Sequence, residues 1–263
     1  MFFWSHLKNI TIPKSCKSIL DGAFICCLFL EEFISESPQF CVNNKILYSK
    51  DYKTLYAYPC KCNVDILPTV KYISHAKGFS ATDFVNITIK HPIESMQGHT
   101  FRNCPNLQHI DLSCTKVTMI YNAIFYNASK LKTLILPPLL THIDIYCFSY
   151  SPITAVYIPA GVYAINAKAF TFSSVTDIYY CGTYTFDSTQ LQNTDIKIHV
   201  SDSFSTKVTQ ILGCQIVDRT YACEKYVCNN MIDQSFMKCP TMNNCLYNRV
   251  IPNILIYTVM IVM

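Results

Sequence analysis

The stretch "SKLKTLILPPLLTHIDIYCFSYS" (residues 129–151) places strand-forming residues directly before two prolines, which cannot lie inside a strand. In its LKTLIL segment, apolar residues alternate with others, which predicts a short strand with one buried face. Pro137 follows at once, where its missing N–H can end the strand. Ile143 and Phe148 come next, around a turn. The same succession occurs on both sides of this stretch, so it is interpreted as one unit of a repeat.

The repeat has a period of 22–24 residues. Consecutive units occupy 84–106, 107–130, 131–152 and 153–174, and further copies lie at 7–24 and 64–79. An independent landmark keeps the same period, because Phe79, Phe101, Phe125, Phe148 and Phe170 are spaced 22, 24, 23 and 22 residues apart. Two registers that share one period indicate a true repeat and not a chance resemblance between neighbouring segments.

Each unit offers one apolar face that is too small to form a core alone. After the strand and proline comes one further apolar position, occupied by Ile19, Ile73, Met96, Ile120, Ile143 and Ile165. Stacking the units in parallel would bury these faces against each other. The predicted fold is therefore a solenoid of leucine-rich repeats, with a parallel β-sheet on the concave face and short helical or irregular turns on the convex face. A parallel β-helix has coils of similar length but needs several strands per coil, whereas each unit shows one clear strand.

The pattern L-x-x-[IV]-x-[IL]-P…V-x-x-I-x-x-x-[AC]-F resembles the BspA-like leucine-rich repeats of surface proteins from oral bacteria and trichomonads. Two further stretches are similar to parts of that family. "NNKILYSKDYKTLYAYP" (43–59) looks like its hairpin unit, and "IYYCGTYTF" (178–186) with "IKIHVSDSFS" (196–205) looks like the closing end of its arrays. The resemblance implies a non-catalytic protein-binding scaffold that acts in cell-surface adhesion or in recognition of a host or extracellular-matrix protein.

Five regions are expected along the chain: N-terminal repeats (1–42), a hairpin unit (43–63), the repeat array (64–200), a cysteine-rich cap (201–249) and an apolar tail (250–263). Cap cysteines Cys223, Cys228, Cys239 and Cys245 lack the paired C-x2-C spacing of common zinc sites, so disulfides are favoured over a metal. In the array, Cys104, Cys114 and Cys147 occupy positions where a free cysteine packs as a small hydrophobe.

Composition and motifs argue against several classes of function. The net charge of +4 is spread along the chain without a run of Lys and Arg, so the sequence shows no basic patch for binding nucleic acid. The 6 glycines form neither GxGxxG nor GxxxxGK[ST], and the sequence contains no HExxH or GxSxG motif. We therefore expect no cofactor, no metal and no enzyme activity.

The residues between the apolar positions of each strand should point outward along the concave face. The candidate binding residues on that face are His109, Asp111, Thr133, Ile135, Tyr157, Asp177 and Tyr179. Ile135, Tyr157 and Tyr179 fall on successive strands, which would place them ~4.8 Å apart in an exposed strip. Tyrosine is favoured at binding surfaces. The alternative is that these side chains only cover an open sheet or lie under a flanking segment.

Location is left open by the sequence. Asn9, Asn86 and Asn127 begin N-x-[ST] triplets and would accept glycans in a secreted chain. The tail 250–263 is uncharged and could be a shortened transmembrane segment, a removable anchor signal or a strand that caps the last repeat. Since no signal-like apolar run is visible near residue 1, two alternatives to surface display stay open: an intracellular repeat scaffold in the cytoplasm, and a truncated copy without surface function.

Overall fold

The computed structural model of the protein describes residues 6–25, 27–60, 66–186 and 189–223. Within these ranges the chain consists of β-strands and turns, and none of the described residues is helical. The strands are β1 (Asn9–Ile12), β2 (Glu32–Ser35), β3 (Phe40–Asn43), β4 (Ile46–Ser49), β5 (Thr54–Ala57), β6 (Tyr72–Gly78), β7 (Asn86–Thr88), β8 (Ser95–Met96), β9 (His109–Asp111), β10 (Met119–Ile120), β11 (Thr133–Ile135), β12 (His142–Ile143), β13 (Ala155–Ile158), β14 (Ala164–Ile165), β15 (Asp177–Tyr180), β16 (Lys197–Val200), β17 (Gln210–Ile211) and β18 (Cys214–Asp218). The architecture is the predicted solenoid with parallel sheets, and its turns are irregular, not helical.

The first strands of successive coils stack in parallel, as the repeat predicts. β7, β9 and β11 form one parallel sheet, and β13, β15, β16 and β18 form another, to whose edge β17 adds as an antiparallel strand. Their middle residues point inward and are buried: Ile87, Ile110, Leu134, Val156, Ile178 and Ile198. The residues on either side of them are half-buried or exposed. We call the outward side of these two sheets the front face, which is the face expected to be concave.

A second parallel strand per coil was not predicted. β10, β12 and β14 pair side by side, and each has two residues. β6 and β8 pair in the same way one coil earlier. The inward residue of each second strand is the apolar position that the repeat pattern identified. Ile120 and Ile143 are two of these residues, and they lie opposite each other on neighbouring strands, as Met119 and His142 do. Two-residue strands leave no alternating pattern in the sequence, so only their buried residue could be found.

The landmark phenylalanines form a continuous ladder of rings inside the solenoid. The ring centroids of Phe79, Phe101, Phe125, Phe148 and Phe170 are 5.4, 5.8, 5.9 and 4.9 Å apart in that order. All five side chains are buried. Tyr58 extends the ladder by stacking on Phe79 at 4.8 Å. Because each ring touches its neighbours in the adjacent coils, the ladder carries the packing between coils that a solenoid needs.

Each ladder ring is followed two residues later by a left-handed turn residue. Asn103, Asn127, Tyr150 and Phe172 have φ of 55°, 54°, 56° and 59°. Asparagine tolerates this backbone region, whereas bulky side chains rarely occupy it. The N–H groups of Asn103, Asn127 and Tyr150 each donate to a carbonyl of the next coil at 2.9 Å. These turns therefore add hydrogen bonds between coils and leave Tyr150 and Phe172 exposed.

The N-terminal part differs from the regular coils. β1 pairs in parallel with β2, and β3, β4 and β5 form an antiparallel meander that joins β6 in parallel. Asn44 and Lys45, between β3 and β4, have φ of 47° and 68°. Two consecutive left-handed residues are typical of the two-residue hairpin turn whose twist matches that of its strands. This meander connects the N-terminal strands to the second-strand side of the solenoid.

Candidate binding face

The seven candidate residues all lie on front-face strands, but in two groups. His109, Asp111, Thr133 and Ile135 lie on β9 and β11, whereas Tyr157, Asp177 and Tyr179 lie on β13 and β15. In the first group His109 lies opposite Thr133 and Asp111 opposite Ile135. In the second group Tyr157 lies opposite Tyr179.

In the first group, His109 and Asp111 form hydrogen bonds with neighbouring residues. His109 Nδ1 is hydrogen-bonded to Thr133 Oγ1, and the Ser113 N–H donates to Asp111 Oδ1 at 2.9 Å. Burial and the nearby Lys132 charge lower the pKa of His109, which favours the neutral imidazole. This group is a modest polar patch beside the half-buried Ile135.

The predicted strip does not run continuously from Ile135 to Tyr157. β11 and β13 belong to different sheets, and no strand pairing joins them among the described residues. At other coil junctions backbone N–H groups at the start of a front strand donate to the preceding coil, as those of Lys132 and Thr133 do to the Gln108 carbonyl at 2.8 and 3.1 Å. A cleft of about 460 Å³ opens at the β11–β13 break, and it is lined by Gln108, Ser129, Lys130, Leu131, Lys132, Pro152 and Thr154.

The second group forms a stack of rings along three strands. The rings of Tyr157 and Tyr179 are 4.8 Å apart and nearly parallel, with an angle of 13°. His199, one strand further on β16, stacks on the other face of Tyr179 at 4.3 Å and 15°. All three side chains are half-buried. We call Tyr157, Tyr179 and His199 the aromatic row.

Two carboxylates hold the histidine of the aromatic row. His199 Nε2 is 2.9 Å from Asp177 Oδ1, and its Nδ1 is 3.6 Å from Asp218 Oδ2. Burial works to raise the pKa of Asp177, but hydrogen bonds from His199 and Thr176 outweigh it, so the pKa lies below its usual value. The pKa of Asp218 is also lowered, because hydrogen bonds from Thr220 and His199 outweigh burial. Both acids are therefore ionised at neutral pH, and the histidine ring is fixed between them.

A C-terminal tyrosine covers part of the aromatic row. The Tyr221 ring lies 4.9 Å from that of Tyr179 and 6.3 Å from that of Tyr157. Burial, with the nearby charges of Asp177 and Asp218, raises the pKa of Tyr179. A flanking segment therefore covers Tyr179. For this residue the structure matches the alternative in which the candidate side chains lie under a flanking segment.

Sequence reasoning missed three members of this site. Extending the outward row by one strand, through "IKIHVSDSFS", would have found His199, which lies opposite Tyr179. Nothing in the repeat pattern marks Asp218 or Tyr221, because β18 pairs with β16 through a register shift and the chain beyond it does not repeat.

The described residues include both disulfide-bonded cysteines and free thiols. Cys223, assigned to the cap, is disulfide-bonded to Cys181 next to β15. Cys104 and Cys147 are both buried, as expected, and burial raises the pKa of the free Cys147 thiol. The expectation of a free thiol was wrong for Cys114, which is disulfide-bonded. Cys228, Cys239 and Cys245 lie outside the described residues. The described residues contain no group of three or more His, Cys, Asp or Glu placed to hold a metal ion.

The three glycan-acceptor candidates are all exposed. Asn9 and Asn86 lie on β1 and β7, on the outward side of the strands. Asn127 lies in a left-handed turn, and its Nδ2 donates to Asn103 Oδ1 at 2.9 Å. For the part of the chain with described coordinates, no helix is long and apolar enough to cross a membrane. The apolar tail 250–263 lies outside the described residues.

Comparison with protein families identifies the repeat. The sequence profile of the BspA-type leucine-rich repeat region matches in six copies, over residues 1–54 and 52–176. The chain belongs to the BspA-type leucine-rich-repeat family. Leucine-rich repeats generally mediate protein–protein interactions. A comparison with curated protein sequences gave no match.

Two solved structures resemble this BspA-type chain. A leucine-rich cell surface protein from Faecalibacterium prausnitzii A2-165 is 25% identical, with a TM-score of 0.58, and the match covers 68% of this chain and 49% of that one. The pneumococcal vaccine antigen PcpA is 16% identical, with a TM-score of 0.54, and the match covers 82% of this chain and 56% of that one. The match therefore spans about half the length of each structure, and the second shares the fold alone.

Proposed function

We propose that this BspA-type chain is a non-catalytic scaffold that binds a protein through its front face, in cell-surface adhesion or in recognition of a host or extracellular-matrix protein. The observation that carries the proposal is the aromatic row, in which Tyr157, Tyr179 and His199 stack across three neighbouring strands. The row lies on strands held by the buried core, so its rings are positioned before a partner arrives.

Tyrosine suits such a surface because it supplies a large rigid ring and a polar hydroxyl at a low cost in conformational entropy. The Tyr221 ring lies 6.3 Å from that of Tyr157 and 4.9 Å from that of Tyr179, so it covers Tyr157 less than Tyr179. The remaining proposed contact residues are His109, Asp111, Thr133, Ile135, Asp177 and Tyr179. Individual contacts along such a face are weak, and display of many copies on a surface would strengthen them through multivalency.

Surface location is supported by two observations. Disulfides persist in oxidising environments and are rare in the cytosol, so the Cys181–Cys223 bond favours a secreted chain over the cytoplasmic scaffold. The Faecalibacterium structure is described as a cell surface protein. In a secreted chain Asn127 is the best-placed glycan acceptor, because it lies on a turn away from the front face, and the tail 250–263 would serve as the membrane contact.

Thiol counting tests the location. Protein isolated from its native cells is denatured and its free thiols are alkylated before mass analysis. The proposal predicts that Cys181 and Cys223 are protected from alkylation. Modification of all 15 cysteines would instead place the chain in a reducing compartment.

Binding to a panel of immobilised matrix proteins (collagen, laminin and fibronectin) and to epithelial cells tests the function. The variant Tyr157→Ser/Tyr179→Ser should bind at least about tenfold more weakly than the wild type, because buried tyrosine contacts are typical energetic centres of interfaces. The matched control is Tyr163→Ser/Tyr184→Ser, which removes two exposed tyrosines outside the front-face strands. Circular dichroism should be unchanged in both. Equal binding by wild type and the first variant, or no binding by the wild type, would overturn the proposal.

A further inference from the structure

After β18, the last strand among the described residues, the chain doubles back across the front face. β18 ends at Asp218, and the following residues cross the ends of two neighbouring strands. The Tyr221 N–H donates to the Val200 carbonyl at the end of β16, at 3.1 Å. Cys223 then reaches Cys181, beside the end of β15, and forms a disulfide with it. We call residues 219–223 the strap.

The strap covers the centre of the aromatic row. Tyr157 and His199 occupy the two faces of the Tyr179 ring, and Tyr221 lies against it from a third direction, with ring planes 52° apart at 4.9 Å. Tyr221 itself is only 6% exposed. Tyr179 is therefore held under the strap.

The two ends of the strap are anchored differently. At its beginning, the Arg219 guanidinium donates to the carbonyl oxygens of Ser205 and Val208, and Asp218 accepts hydrogen bonds from Thr220. At its end the anchor is covalent, through Cys223. Between these anchors the Tyr221 N–H donates to Val200, and the Tyr221 ring contacts those of Tyr179 and Tyr157. Breaking the covalent anchor would leave the crossing segment held by non-covalent contacts.

We propose that the strap is a disulfide-held cover on the aromatic row, and that reduction of the Cys181–Cys223 bond opens it and uncovers Tyr179. A dithiol reductant attacks one sulfur as a thiolate, a mixed disulfide forms, and the second thiol of the reductant displaces it. The sulfur–sulfur bond accepts two electrons and two protons to give two cysteine thiols, and the reductant becomes a cyclic disulfide. The same chain thus presents a smaller binding face when oxidised and a larger one when reduced.

Hydrogen exchange read by mass spectrometry tests the cover directly, without a partner. Amides of the strap, including that of Tyr221, should exchange at least about fivefold faster after treatment with dithiothreitol, because opening free energy sets local exchange. Amides of β15 and β16 should keep their protection, since these strands are paired on both sides. Exchange that accelerates equally in β15 and β16 would mean that the disulfide holds the fold and not a strap, which overturns the proposal.

Variants assign the effect to one bond, because Cys114 is also disulfide-bonded and would be reduced as well. The variant Cys181→Ser/Cys223→Ser should show the fast strap exchange with and without dithiothreitol. The control Cys16→Ser, which removes a free and partly exposed thiol, should behave as the wild type does. A strap that stays protected in the double variant, with exchange less than about fivefold faster than in the oxidised wild type, overturns the proposal.

A binding experiment tests what opening the strap does to partner binding. This consequence rests on the proposed function, and the experiment separates the two. For a matrix protein that binds the wild type, opening should lower Kd by at least about threefold, because Tyr179 joins the contact surface. The gain should be absent in Tyr179→Ser. An unchanged Kd with an open strap would overturn the assignment of Tyr179 to the contact surface, whereas loss of all front-face binding would contradict the proposed function and leave the exchange result standing.

Discussion

Replacing Phe148 with alanine should uncouple neighbouring coils of the solenoid. Its ring is fully buried and stacks on Phe125 at 5.9 Å and on Phe170 at 4.9 Å. Removal of a buried phenylalanine costs about 3–5 kcal/mol, of which each lost aromatic pair accounts for about 0.5–1.5 kcal/mol. Phe148→Leu keeps most of the buried apolar volume but loses the ring stacking, so it should cost about 1–2 kcal/mol. The order alanine, then leucine, then wild type is the expected order of increasing stability.

Urea unfolding followed by far-UV circular dichroism measures these free energies. The matched control is Phe172→Ala, in the next coil, because that ring is 67% exposed. It should cost less than about 1 kcal/mol, as surface substitutions usually do. Because each coil contacts only its neighbours, Phe148→Ala should also broaden the transition by separating the two halves of the array. Equal losses for the buried and exposed phenylalanines would refute the ladder as the source of coupling between coils.

Two further outcomes are expected. Gly182→Ala would bring a Cβ to 2.6 Å from the Ala160 carbonyl, so Tm should fall by the equivalent of about 1–3 kcal/mol, and an unchanged Tm would show that the loop adapts. The lowered pKa of Asp177 means that its charge stabilises the fold above about pH 4 and stops doing so as the pH falls through its folded value. The stability difference between wild type and Asp177→Asn should therefore be present at neutral pH and should shrink as the pH falls below about 4, and a difference independent of pH would argue against the charged contact.

The repeat and its core could be predicted because they obey a period. A ladder ring such as Phe125 must recur at the same place in every coil to touch its neighbours, so its position is visible in the spacing alone. The alternation around Ile110 and Val156 likewise follows from the two-residue period of a strand, and both are buried. The two-residue second strands are too short to show any alternation, which is why their sheet was not predicted.

The candidate face could be predicted only in part, because its decisive contacts are not periodic. Tyr157 and Tyr179 lie in a repeated row and were found, as their register pairing shows. The break beside Ile135 depends on whether backbone groups of two coils meet, which no repeat pattern encodes. Tyr221 and the partner of Cys223 come from a segment that crosses the strands instead of following them, and the pairing of cysteines cannot be deduced from their spacing.

The measurement that tests the central claim most directly is photo-crosslinking from the front face. A benzophenone amino acid replaces Tyr157 in one variant and Tyr163, an exposed tyrosine outside the front-face strands, in a second. Each variant is irradiated on epithelial cells and on immobilised matrix proteins, and adducts are identified by mass spectrometry. A binding front face predicts an adduct to one defined protein from position 157 and none from position 163. Adducts from position 163 alone, or none from either position, would contradict a front face that binds protein.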